Sequence, residues 1–162
     1  MMEKSKKDRI FYSVLITILV LTLLWIFVQS ALPAEVSDAE SDKVTEIVDQ
    51  VVPEEFSLKE FILDNIRKIA HFLEFGALGV EALLLLWYSK RLGIREILLG
   101  IGFGALVAFL DESLQLISKR GAEILDVWID IGGYASFYLI PLAVIILVRY
   151  IKNKNTEKSS AS

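Results

Sequence analysis

The sequence predicts an all-α fold, a polytopic membrane bundle of four transmembrane helices with short amphipathic helices in one external loop. Three observations predict it. The mean hydropathy is +0.54 and 54% of the residues are apolar, above the about 45–50% of soluble domains, a figure that already includes glycine. Four apolar runs are each long enough to cross a hydrocarbon core about 30 Å thick at a rise of about 1.5 Å per residue. The charged residues fall largely between these runs, so the net charge of -4 belongs to loops and argues against a nucleic-acid partner. The bilayer is the expected partner. With no cysteine in the chain, disulfides, thiolate metal sites and cysteine nucleophiles are excluded, and stability must come from lipid and helix packing.

Residues 1–29 comprise a basic amino terminus and the first span, whose run 11–28 has no charged residue. Lys4, Lys6, Lys7 and Arg9 before it, and the small residues of 30–34 after it, also suit a secretory signal. The run is nevertheless longer than the roughly 7 to 15 residues of a signal core, which favours a span. Residues 30–66 form an acidic external loop in which Glu35, Asp38, Glu40, Asp42, Glu46, Asp49, Glu54, Glu55, Glu60 and Asp64 are opposed only by Lys43 and Lys59. Within it Val44, Ile47, Val48, Val51 and Val52 recur at helical spacing and Pro53 ends the pattern. Ser57 and Glu60 have the spacing of a capping box ahead of Phe61, Ile62 and Ile66. The two segments read as amphipathic helices on the membrane surface, with a solvated linker the alternative for 37–52.

Residues 67–150 hold the remaining spans, predicted over 69–88, 97–117 and 127–148, and residues 151–162 form a polar tail. Basic residues in short segments mark the cytoplasmic side. They cluster at the amino terminus, at Lys90, Arg91 and Arg95, and at Arg149, Lys152, Lys154 and Lys158. Both termini are therefore expected in the cytoplasm. The acidic loop and the 118–123 turn are expected outside, although Lys119 and Arg120 in that turn run against the bias.

An ionisable group near the bilayer centre costs about 2.5 to 3.5 kcal/mol on insertion scales, so carboxylates inside spans need partners or a purpose. His71, Glu74 and Glu81 share a stripe of the second span with Arg67 and Leu78, by three- and four-residue steps. Asp111, Glu112 and Gln115 end the third span. Asp126 and Asp130, one turn apart and followed by Gly132 and Gly133, open the fourth. The second span begins outside, the third ends there and the fourth begins there, so one site at a common depth can collect these groups. Only Glu81 falls deeper, where contact with another helix or snorkelling is expected. On the third span Gly100, Gly104 and Ala108 make a small-residue stripe leading to Glu112, a pattern that lets a neighbouring backbone approach. Arg120 reads as the cation that offsets the carboxylates, and Arg67 and Lys68 as interfacial anchors. Asp126 also suits a helix N-terminus, where the macrodipole favours a carboxylate.

These residues in this order resemble the VanZ-like family, small bacterial membrane proteins named for a teicoplanin-resistance accessory protein. The resemblance is carried by Lys68 with His71-Phe72-Leu73-Glu74-Phe75, by Asp111-Glu112-Ser113-Leu114-Gln115, by Arg120, and by Asp126 with Asp130 and Gly133. It covers roughly residues 60–148. Asp130 stands where many relatives have asparagine. The resemblance implies a multi-pass protein of the bacterial plasma membrane, linked to glycopeptide susceptibility, whose biochemical activity the family name does not specify.

Two functions compete. The first is a binding or accessory role in which His71, Glu74, Asp111, Glu112, Gln115, Arg120, Asp126 and Asp130 form a polar site for a lipid-linked cell-wall component or an envelope protein. The second is a membrane-embedded hydrolase or transferase acting on a lipid-linked phosphate. There His71, Glu74, Asp111, Glu112, Asp126 and Asp130 would supply a general base or ligands for a divalent cation such as Mg²⁺ or Mn²⁺. So negative a site needs a metal before it attracts phosphate. A proton or cation pathway is less suited, because the carboxylates gather in one half of the bilayer.

Overall fold

Each of the four apolar runs forms a long helix in the computed structural model, which describes residues 6–89, 92–118 and 124–160. α1 spans Lys6–Ala31, and α2 (Ala34–Val51) and α3 (Lys59–Asp64) occupy the loop after it. α4 spans Ile66–Tyr88, α5 Ile94–Ile117 and α6 Ile124–Ser160. α1, α4, α5 and α6 are long and apolar enough to cross a membrane, and no strand occurs among the described residues. α6 continues well past its apolar run into the lysine-rich tail, since a nucleated helix gains one hydrogen bond for each further residue it orders.

The chain runs up and down. Trp25 pairs with Glu74, Thr22 with Glu81, and Asp8 with Tyr88, so α1 and α4 are antiparallel. α4 and α6 are parallel, with Phe72 beside Gly133 and Gly76 beside Phe137. The end of α1, the start of α4, the end of α5 and the start of α6 therefore share one end of the bundle.

Glycines set how closely the helices approach. A Cβ on Gly79 would lie 2.5 Å from the Tyr134 carbonyl oxygen, and one on Gly133 would collide with the Phe72 carbonyl. The close backbone approach is thus between α4 and α6. The stripe on α5 works otherwise than its spacing suggests: the Tyr138 ring fills the notch at Gly100 and the Tyr134 ring the notch at Gly104. These rings stack at 5.5 Å between centroids, and Tyr134 Oη donates to the Gly100 carbonyl at 2.7 Å. A small residue leaves room, but whether backbone or side chain takes it depends on the neighbour. The core continues through Ile26, Phe75, Leu78, Val107 and Leu142, while Leu21, Leu99, Phe109 and Ile140 point outward, as helices solvated by lipid tails require.

α1 meets α4 through polar pairs as well as apolar packing. Thr22 Oγ1 donates to Glu81 Oε1 at 2.7 Å, so the deep carboxyl contacts another helix. Trp25 Nε1 donates to Glu74 Oε1 at 2.9 Å, and at the far end Tyr88 Oη donates to Asp8 Oδ1 at 2.9 Å.

The segment between α1 and α4 is a helical hairpin. α2 packs against α3 and α4, turning Ser37, Ser41 and Thr45 inward while Val44, Ile47 and Val51 stay exposed. The expected capping box does not form. Leu58 is the N-cap of α3 and no side chain caps it, so Ser57 falls one residue too early and Glu60 one position short of the reciprocal bond. Lys59 organises the turn instead. Its Nζ, on a side chain only 7% exposed, lies 2.9 Å from Asp49 Oδ1 and 2.5 Å from Glu54 Oε1, and donates to the Asp49 carbonyl at 3.0 Å. The hydrogen bonds to Glu54 and then Asp49 hold its ammonium above the ordinary lysine value.

Candidate functional site

At the shared end of the bundle three helices bring an imidazole and two carboxylates together. His71 lies in the second turn of α4, Asp111 near the end of α5 and Asp130 in the second turn of α6. His71 Nδ1 is 3.4 Å from Asp130 Oδ1 and 3.9 Å from Asp111 Oδ2, and one ligand atom from each residue lies within 4.8 Å of the others. Both aspartates are fully buried, at 0% exposure. The approach of α6 to α4 creates this meeting. With Gly133 against the backbone of Phe72, Asp130, almost one turn earlier, comes level with His71.

Asp111 is held from two sides. Ser30 Oγ, at the end of α1, donates to Oδ1, and Gln115 Nε2, one turn on, donates to Oδ2 at 2.8 Å. The other end of that amide accepts a bond of 3.1 Å from Arg67 Nη2, which fixes which way the amide points. Ser118 Oγ donates to the Ser30 carbonyl at 2.9 Å and closes the ring between α1 and α5. Among the described residues, neither carboxylate oxygen of Asp130 has a hydrogen-bond partner, and neither does His71 Nδ1.

The other sequence candidates lie around this group. Glu74 faces Trp25 and lines a cavity of about 200 Å³ together with Gln29, Ser37, Ser41, Arg67 and His71. Asp126 lines a second cavity of about 250 Å³ with Asp64, Asn65, Arg67, Lys68 and His71. Glu112 is buried beside Asp111 but stands outside the three-residue group. Gln115 orients Asp111, and Arg120 lies outside the described residues.

Two residues enter the site beyond those expected. Arg67, read from its position as an interfacial anchor, lines both cavities and bonds Gln115, so it belongs to the site. Ser30 lies in a stretch of small residues with no distinguishing pattern. Its one legible signal is that a hydroxyl ends an apolar run at the depth where the carboxylates begin.

The chemistry of this end is mixed. Buried carboxylates converge on one imidazole nitrogen, while Arg67 and Lys68 line the cavities beside it. A model of the VanZ/LLP1 family matches residues 11–148. The chain belongs to the VanZ/LLP1 family. No curated protein and no solved structure matches it. The VanZ/LLP1 match takes in α1 and the α2–α3 hairpin as well as the three later spans that carry the motif residues. In this VanZ/LLP1 protein the motifs are partners in space: His71 comes from the first, Asp111 and Gln115 from the second, and Asp130 and Gly133 from the last.

Proposed function

We propose that this VanZ/LLP1 protein is a cell-envelope membrane protein whose polar end binds the anionic head of a lipid-linked cell-wall component, and that an effect on glycopeptide susceptibility follows from that binding. The observation that carries the reading is the position of Arg67 between two headgroup-sized cavities. A guanidinium presents a rigid fork of donors suited to phosphate, and Lys68 beside the second cavity adds a positive charge set against the carboxylates of Asp64 and Asp126 there, as Arg67 is set against Glu74 in the first. Cavities of about 200 and 250 Å³ are smaller than the roughly 300–1,000 Å³ of pockets that enclose drug-sized molecules. That size suits one polar head with its chain left in lipid. The basic segments argue for cytoplasmic termini and hence a site facing the outer leaflet of the bacterial plasma membrane. The antibiotic half of the reading rests on family membership alone, and an envelope protein is the alternative occupant.

A second reading is a hydrolase or transferase acting on a lipid-linked phosphate. The placing of His71 between Asp111 and Asp130 favours it, since such a group supplies a general base or metal ligands.

The test is binding of an isoprenoid pyrophosphate lipid to the full chain in lipid nanodiscs, with product analysis on the same samples. The binding reading expects saturable association, weakened about tenfold or more by Arg67→Gln, a loss of about 1.4 kcal/mol, and the lipid recovered intact. Equal binding by the Arg67→Gln variant would remove the basis of the proposal. Release of phosphate that stops in His71→Ala would favour the enzyme.

A further inference from the structure

We infer that His71, Asp111 and Asp130 form a binding site for a divalent transition-metal cation, Mn²⁺ or Zn²⁺ in preference to Mg²⁺ or Ca²⁺. The inference deepens the polar site proposed above and rests on that end of the bundle being a binding site, but not on which lipid it takes.

Spacing is the first ground. Ligand atoms about 2.1 Å from a tetrahedral metal stand about 3.4 Å from one another, and His71 Nδ1 lies 3.4 and 3.9 Å from its two carboxylate neighbours. A histidinium paired with aspartate makes a different geometry, donating its proton at about 2.7–2.9 Å. Here Nδ1 makes no hydrogen bond to either carboxylate. Burial is the second ground. Asp130 is 0% exposed and both its oxygens lack hydrogen-bond partners among the described residues, a costly state for a carboxylate unless a cation meets it.

The surroundings form the third ground. Metal-binding carboxylates are characteristically oriented by outer hydrogen bonds. Ser30 and Gln115 do this for Asp111, with Arg67 setting the amide. Donor type then selects the metal. Ca²⁺ and Mg²⁺ favour oxygen donors throughout, whereas an imidazole nitrogen beside carboxylates suits Mn²⁺ or Zn²⁺. Three protein ligands leave positions open toward the cavities that His71 lines, where an anionic head beside Arg67 would become a ligand.

His71 is the chain's sole histidine, which permits a test without mutation. The full chain, purified in detergent with a histidine-free affinity tag and stripped by chelator, is equilibrated separately with Mn²⁺, Zn²⁺, Mg²⁺ and Ca²⁺. Retained metal per chain, melting temperature and, for Mn²⁺, nitrogen coupling in the electron paramagnetic resonance spectrum are measured. About one Mn²⁺ or Zn²⁺ per chain, a raised melting temperature and imidazole nitrogen coupling are expected, with neither retention nor shift for Mg²⁺ and Ca²⁺. Asp130→Asn should lose the metal, Gln115→Ala should bind about 10- to 100-fold more weakly, and Glu81→Gln should bind normally. Wild-type chain that retains neither metal, or Mn²⁺ bound without nitrogen coupling, would overturn the assignment. Lipid binding unchanged in metal-free chain would leave the lipid reading standing alone, and metal binding without lipid binding would leave the cation site alone.

Discussion

Arg67 Nη2 on α4 donates to Gln115 Oε1 on α5 at 3.1 Å, and the same amide donates through Nε2 to Asp111 Oδ2 at 2.8 Å. One cation thus orients a buried carboxylate it does not touch through these bonds. Arg67→Ala should therefore destabilise the chain by about 1–3 kcal/mol, because it leaves the buried Gln115 Oε1 without its donor. A double-mutant cycle with Gln115→Ala, read by thermal unfolding in detergent, should give a coupling of roughly 0.5–3 kcal/mol. Strict additivity would mean that the amide does not depend on Arg67.

The α4–α6 approach predicts a sharp contrast among glycines. Gly133→Ala and Gly79→Ala press a methyl group into backbone, against the Phe72 and Tyr134 carbonyls, and each should cost about 1–3 kcal/mol or more. Gly102 has nothing within 4 Å of an added Cβ, so Gly102→Ala should be neutral or slightly stabilising through helix propensity. Melting temperatures of the three variants check this, and equal effects would contradict the packing described.

Lys59 predicts the pH behaviour of the α2–α3 hairpin. Glu54 and Asp49 raise its folded-state value above the ordinary 10.5, so the ammonium's contribution is whole below about pH 10.5 and is lost only as pH rises through the raised value. Limited proteolysis of the 53–59 turn should show equal protection at about pH 7 and about pH 9 in the wild type. Lys59→Met should be cut faster at both. Wild-type protection that falls between those two values would assign the turn's stability to another group.

Orientation can be tested on a chain without native cysteines. The alternation of basic segments with apolar spans predicts that Asn155→Cys reacts with a membrane-impermeant maleimide only after permeabilisation, and Asp42→Cys in intact cells. Labelling of Asn155→Cys from outside would reverse the proposed orientation and with it the leaflet the site faces.

The spans were legible because bilayer thickness sets a length that apolar runs reveal without tertiary information. His71, Asp111 and Asp130 were legible for the complementary reason, since an ionisable group inside such a run is conspicuous. Arg67 was not, because a cation at the start of a span is ordinarily an anchor, and only its partner Gln115 distinguishes it. Ser30 depends in the same way on a contact across 81 positions of sequence. The stripe at Gly100 and Gly104 revealed a place for close packing but not that tyrosine rings would fill it. The capping pattern failed by one residue, since Lys59 settles the turn through acids outside the motif. The charge-balancing role expected of Arg120 lies outside the described residues.

The tyrosines of α6 act like the teeth of a key. Tyr134 and Tyr138 sit in notches cut into α5 at Gly104 and Gly100, while Gly133 and the Tyr134 carbonyl bear on the backbone of α4. α6 can neither turn about its axis nor slide along it without first withdrawing two rings. Asp130, one turn before Tyr134, thereby inherits a fixed azimuth and depth from residues that have no polar role at the site. Inserting a single residue between Asp130 and Tyr134 would swing the carboxylate by about 100°, parting it from His71 while leaving every side chain of the triad intact.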